Sequence, residues 1–188
     1  MMWRRIAGLT LLVIGVAAAS IAAENATLAD AAEQRNAALV RTLLAKRADV
    51  NTAQVDGMTA LHWAVYNDDA EMAGLLVRSG ANVNATNLYG VAPLSLASVN
   101  RNAVIVKALL DAGANPNASQ PGGETVLMTA ARAGSVDSVK ALLTRGANPN
   151  ARERRDQTAL MWAAAEGHAA VVQALIDGRA AVGAQLKA

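Results

Sequence analysis

His62 and His168 are the only imidazoles in the chain, and cysteine is absent. Thiolate nucleophiles, thiol redox chemistry and cysteine metal sites are therefore excluded. A histidine-based hydrolase or transferase needs nucleophile, base and orienting group within hydrogen-bond reach of one another. No neighbouring motif supplies that set. The carboxylates are single and scattered: Asp111, Asp137 and Asp177 fall near helix positions that read as solvated, without calcium-loop spacing. Gly122-Gly123 lacks the following Lys-Ser/Thr and the preceding buried strand of a phosphate-cradling loop. The expectation is no catalytic residue, no metal, no cofactor and no enzymatic activity in Glu24–Ala188.

What organises these residues is a period. A step of 33 residues links Leu28, Leu61, Leu94, Leu127 and Leu160, and the same step links Leu43, Leu76, Leu109, Leu142 and Leu175. Asn51, Asn84, Asn117 and Asn150 share it. Repetition at this length predicts a solenoid of stacked units, each too small to bury its own apolar face. An apolar content of 53% with no Phe, dominated by alanine and leucine, agrees with a helical stack. His62 and His168 then fall three repeats apart, so a triad or metal built on them would need partners from distant units.

Residues 1–23 stand apart. Arg4 and Arg5 precede an apolar run from Ile6 to Ala19, which ends in the small residues Ser20, Ala22 and Ala23 before Glu24. That is the layout of a secretory signal peptide cleaved after Ala22 or Ala23. The alternative is an uncleaved anchor, since Ile6–Ala23 is at the lower limit for spanning a bilayer. Without Arg4 and Arg5 the 17 basic residues fall to 15, equal to the 15 acidic ones. A neutral mature chain gives no argument for nucleic acid or an anionic membrane as partner.

Within each unit a polar residue opens a helix and an Asn/Pro/Gly-rich stretch follows a second helix. Thr59 reads as an N-cap, Pro93 as a first helical residue, and Gly80, Gly113 and Gly146 as left-handed helix ends. Segments such as Ala81–Gly90 and Ala114–Gly123 read as projecting hairpin-like turns. At Gly57-x-Thr59-x-Leu61-His62-x-Ala64, Gly134, Gly167-His168, Val139-x-x-Leu142-Leu143 and Gly146-Ala147-Asn148-Pro149-Asn150-Ala151 the chain resembles the ankyrin repeat. The resemblance runs from about Glu24 to the C-terminus. It implies an all-α solenoid of antiparallel helix pairs joined by hairpin-like fingers, with a concave face that binds protein. The expected units are a signal peptide at 1–23, a capping repeat at 24–52, repeats at 53–85, 86–118 and 119–151, and a last repeat at 152–188. Departures from the pattern are Ala92 for the capping Thr, Asp156 for a turn Gly, and Arg47 and Arg179 where Gly would end the outer helices.

The resemblance implies structural roles for both histidines, and Trp63 and Trp162 are expected to pack in the core, the alternative being that an indole edge reaches the concave face. The finger tips and the free ends of the inner helices remain for function. Val55, Met58, Tyr66, Asn67, Leu88, Tyr89, Val91, Val99 and Asn100 make an apolar and aromatic first half, which alternatively is ordinary scattered surface. Arg132, Arg154 and Arg155 make a polar and basic second half; Arg152, Arg154 and Arg155 alternatively form a solvated turn that only keeps the chain soluble. The reading is an exported, periplasmic or secreted, non-catalytic module for a protein partner, with no small-molecule substrate. Its alternatives are the N-terminal recognition part of a longer enzyme or sensor, or a membrane-tethered scaffold.

The two ends differ. Asp30, Glu33 and Gln34 are expected to turn the first repeat's outer side to water, whereas Leu160, Met161, Trp162, Val171, Val172, Leu175 and Ile176 repeat the interior pattern. The last repeat is therefore expected to be covered by a further repeat, a second copy or the partner.

Overall fold

None of the described helices is long enough to be stable alone. In the computed structural model, which describes residues 27–183, the helices run six to nine residues. Isolated helices below about 12–15 residues are marginal in water, so packing has to stabilise them. The expected leader at 1–23 lies outside the described residues.

Ten α-helices are present among the described residues, in five antiparallel pairs: α1 Leu28–Glu33 with α2 Ala37–Ala45, α3 Ala60–Tyr66 with α4 Ala70–Arg78, α5 Pro93–Val99 with α6 Ala103–Asp111, α7 Val126–Ala133 with α8 Val136–Thr144, and α9 Ala159–Ala165 with α10 Ala169–Asp177. The odd-numbered helices stack on one another as an inner layer, with the even-numbered helices packed outside them. The result is an all-α repeat solenoid. None of the described helices is long and apolar enough to cross a membrane.

The leucine period marks the core. Leu28, Leu61, Leu94 and Leu127 are almost fully buried along the inner layer, as are Leu76, Leu109, Leu142 and Leu175 along the outer one. Burying each such side chain stabilises by roughly 1.5–3 kcal/mol. The terminal copies Leu43 and Leu160 are only half-buried.

Local chemistry starts and ends the helices as the sequence implies. Thr27, Thr59, Thr125 and Thr158 cap inner helices, each hydroxyl accepting the backbone N–H three residues on. Ala92 makes no such bond, and Pro93 begins α5 without it. Past the outer helices, Gly80, Gly113 and Gly146 have φ near +88°, and Arg47 (φ 60°) and Arg179 (φ 68°) adopt the same left-handed conformation despite their side chains. The hydrogen bonds from Ala48 N–H to the Leu43 carbonyl and from Ala180 N–H to the Leu175 carbonyl hold those two ends.

The fingers are tied together by the periodic asparagines. Asn84 Nδ2 donates to the Gly113 carbonyl while its Oδ1 accepts from Asn115 N–H, at 3.0 and 2.8 Å. Asn51, Asn117 and Asn150 make the same pair of bonds to the following repeat, Asn150 ending on the Arg179 carbonyl and Ala181 N–H. One side chain per repeat thus satisfies a carbonyl left open at a helix end and fixes the phase of the next unit.

In the first repeat Glu33 and Gln34 are exposed as expected, and Asp30 differs. Asp30 is only half-buried and is tied into the fold: it accepts from Thr27 N–H and Oγ1 and from Gln54 Nε2 of the next finger. At the other end Ala163, Val171 and Leu175 are buried, Met161, Trp162 and Val172 are half-buried, and Ile176 is exposed.

Candidate binding face

Each finger is a tight turn closed by the same two backbone bonds. In the second repeat Gln54 N–H donates to the Met58 carbonyl and Gly57 N–H to the Gln54 carbonyl; Asn87/Val91/Gly90, Gln120/Glu124/Gly123 and Glu153/Gln157/Asp156 repeat the arrangement. Neighbouring tips also bond, Leu88 N–H to the Asp56 carbonyl and Arg154 N–H to the Gly122 carbonyl. A rigid comb of fingers therefore stands over the inner helices.

This comb lifts Val55, Leu88 and Tyr89 into solvent at 99%, 76% and 72% exposure, with Tyr66 at 60% at the end of α3. Val99 is exposed beside them at the end of α5. Other expected surface residues are not free. Met58 is buried, its sulfur facing Asn87 Nδ2 at 3.5 Å, because the next finger closes over the base of its own. Val91 is half-buried and its carbonyl is engaged by His62. Asn67 and Asn100 turn back to donate to the Ala32 and Val65 carbonyls of the preceding repeat. On the basic half, Arg154 donates to the Pro121 carbonyl, whereas the Arg155 guanidinium has no partner among the described residues.

Both tryptophans depart from a purely core role. Trp63 and Trp162 pack against the core yet remain half-buried, and each indole N–H donates to a glutamine, Gln54 at 2.6 Å and Gln157 at 3.0 Å. Trp63 forms the floor of an open groove of about 750 Å³ lined also by Asp30, Glu33, Gln54, Val55, Asp56 and Leu88. Gln54 holds this wall in place: its Nε2 donates to Asp30 and to Glu33, both at 2.8 Å, while its Oε1 accepts from the indole. Tyr66 stands edge-on to Trp63, rings 87° apart and 5.6 Å between centroids. The Gln54 bond, and secondarily those from Thr27, hold the Asp30 carboxyl below the usual carboxylate range. Sequence reading missed Gln54 as a lining residue, although it stands on a finger, and placed Trp63 in the core with the concave face as its alternative.

Beside Trp162 lie Arg132, Gln157 and Glu166. The Arg132 guanidinium lies 4.8 Å from its ring centroid and also forms an ion pair with Glu124 at 3.3 Å. Arg132 is thus engaged within the chain on two sides.

The histidines are occupied by backbone. His62 is buried; Nδ1 accepts from Thr59 N–H at 3.2 Å, and Nε2–H donates to the Val91 carbonyl at 3.0 Å, joining two repeats. Burial pushes its pKa down from 6.5, against smaller raising effects of the Val91 carbonyl and Asp56. His168 Nε2–H donates to the Arg132 carbonyl at 3.0 Å, and its ring lies where a Cβ on Gly134 would be, 2.7 Å away. Among the described residues no three His, Cys, Asp or Glu side chains cluster to hold a metal.

A family model for ankyrin repeats in three copies matches residues 28–120 and again 94–185. A comparison with curated proteins found no match. Helix pairs at a period of 33, capped by threonine, joined by fingers and matched over most of their length, make this chain a member of the ankyrin-repeat family.

Proposed function

We propose that this chain is an exported, non-catalytic module that binds a partner protein across its fingers and inner helices. Ankyrin repeats are generally protein-interaction modules, and the observation that carries the reading here is the cluster of Val55, Tyr66, Leu88 and Tyr89. These large apolar or aromatic side chains project from two adjacent repeats and one face. Clustered residues of this kind serve as interface anchors, because aromatic side chains bury much area for little lost entropy. Arg154 and Arg155 would form a charged edge that acts mostly on association rate. Export is supported by the basic start, the apolar run and the small residues before Glu24.

Affinity capture from the exported fraction tests the reading. Leu88→Ala with Tyr89→Ala is expected to abolish capture of a partner held by the parent while leaving the melting temperature unchanged. Arg154→Glu is expected to weaken capture mainly at low salt. Equal capture by the double variant and the parent overturns the anchor assignment. An intact mass that starts at Met1 overturns the cleaved leader.

A further inference from the structure

The chain contains the same tryptophan position twice, and only one copy is complete. Trp63 and Trp162 are separated by three steps of 33, and the same three steps carry Glu33 to Arg132. In the C-terminal copy the residue at that place, Arg132, lays its guanidinium on the indole and meets a carboxylate, Glu124, alongside. Ring, guanidinium and counter-charge together make a satisfied cation–π site. In the N-terminal copy the equivalent place holds an acid, and no cation lies on Trp63 among the described residues.

Everything else at Trp63 is in place for one. Gln54 fixes the indole and the Asp30 and Glu33 carboxylates relative to one another, and Asp56 lines the same groove. None of these three carboxylates forms an ion pair among the described residues, where the four pairs are Arg41–Glu71, Arg132–Glu124, Arg145–Asp111 and Arg152–Asp156. The depressed Asp30 pKa keeps that charge present across the physiological range. The outer wall is apolar, formed by the exposed Val55 and Leu88.

We propose that the groove over Trp63 is a socket for an arginine side chain of the partner protein, whose guanidinium takes the place on this indole that Arg132 takes on Trp162, with an adjoining apolar residue against Val55 and Leu88. A guanidinium suits the site because its flat face stacks on an indole while its edge donates to two carboxylates at once. The inference rests on reading this face as a protein-binding surface and names the chemistry recognised there.

The test uses the folded chain and a defined probe, N-acetyl-Arg-Leu-amide, with N-acetyl-Gln-Leu-amide as its uncharged counterpart. Indole N–H resonances are assigned with Trp63→Phe and Trp162→Phe. The arginine probe is expected to shift the Trp63 resonance saturably and to leave that of Trp162, already covered by Arg132, in place. The glutamine probe is expected to bind about tenfold more weakly, the range of a cation–π contact with a charged hydrogen bond. Glu33 is exposed, so Glu33→Arg should fold as the parent does and abolish the response by covering the ring from within; Glu33→Gln should weaken it. Absence of any Trp63 shift, equal binding of the glutamine probe, equal shifts at both tryptophans, or an undiminished response in Glu33→Arg each overturns the socket. A captured partner that Glu33→Arg still holds while Leu88→Ala with Tyr89→Ala releases it overturns the socket alone and leaves the binding face standing.

Discussion

The second and fifth repeats are built on one plan and present opposite surfaces. Both cap the inner helix with a threonine, Thr59 and Thr158, and both bond an indole to a glutamine. Three steps of 33 then exchange Glu33 for Arg132, Val55 for Arg154 and Asp56 for Arg155. The capping threonine and the core leucines are kept, Thr59 as Thr158, Leu61 as Leu160 and Leu76 as Leu175, while these three solvent-facing positions change from acidic or apolar to basic. Scaffold and surface are therefore separable in this fold, because each repeat contacts only its neighbours. A partner that spans the face would meet an acidic, apolar end and a basic one, which fixes its direction as well as its affinity.

The sharpest way to break this separation is at His62, a fully buried scaffold residue on which the second repeat departs from the fifth. Met161 holds the equivalent place in the fifth repeat, and Met128, fully buried, holds it in the fourth. His62→Ala should cost about 3–4 kcal/mol, since it leaves a cavity and strips Thr59 N–H and the Val91 carbonyl of their buried partner. His62→Met should cost only about 1–2 kcal/mol, because the fill of the fourth repeat is restored and only the inter-repeat bond is lost. Urea unfolding of the two variants checks the order. Equal losses would mean that the bond, and not the packing, dominates.

A smaller effect of the same residue follows from its charge. The imidazole is held below its ordinary 6.5, with burial as the main cause. Between the folded and unfolded values the unfolded chain binds the extra proton, so protonation there favours unfolding. Stability from this group is full above pH 6.5 and declines as pH falls below it, levelling off only beneath the folded value. Asp56, the charged residue that acts on the ring, opposes the shift and does not cancel it. The urea midpoint of the parent should therefore fall between pH 7 and pH 5 more steeply than that of His62→Met. Carboxylates and His168 are common to both proteins, so the difference isolates His62. Parallel pH profiles would show that the buried ring protonates without cost.

The stack was legible in the sequence because its determinants recur at fixed phase. Leu61, Leu94 and Leu127 announce the core and Thr59 the cap; Asn84 and Asn117 share the period, but the bond each makes to the next repeat is seen only in the structure. The left-handed Arg47 and Arg179 also followed from phase, since the helix end sets the backbone there and the residue bears the strain. The face was legible only where a side chain stands free on a finger tip, as with Val55, Leu88 and Tyr89. Met58, Val91, Asn67 and Asn100 were read as free because what engages them comes from the adjoining repeat: Met58 is buried, Val91 and Asn67 are half-buried, and Asn100, though exposed, donates to the Val65 carbonyl, contacts that no pattern within one repeat records. The Trp63 groove escaped for a related reason: Asp30, Glu33 and Gln54 meet across a repeat boundary, and only the step from Glu33 to Arg132 in the sequence hints at it.

The third repeat offers the smallest and cleanest test of the shared plan, because it lacks a cap that both the second and the fifth possess. Ala92 has φ −95° and ψ 159°, close to Thr59 at −95° and 169°, so the backbone already holds the capping conformation. Ala92 is 5% exposed, as is Thr59, and Thr125 and Thr158 are equally enclosed, so the site type accommodates a threonine in three other copies. A hydroxyl there would offer Ser95 N–H, now bonded to the Ala92 carbonyl at 3.0 Å, the acceptor that a capping threonine gives the equivalent donor in the other copies. Ala92→Thr should therefore stabilise by about 1 kcal/mol, the usual worth of an N-cap. For a domain of this size that raises the melting temperature by about 2–4 °C. Pro93 limits the gain only if its fixed φ already secures the first turn; in that case Ala92→Thr leaves the melting temperature unchanged, and the third repeat has replaced capping by preorganisation.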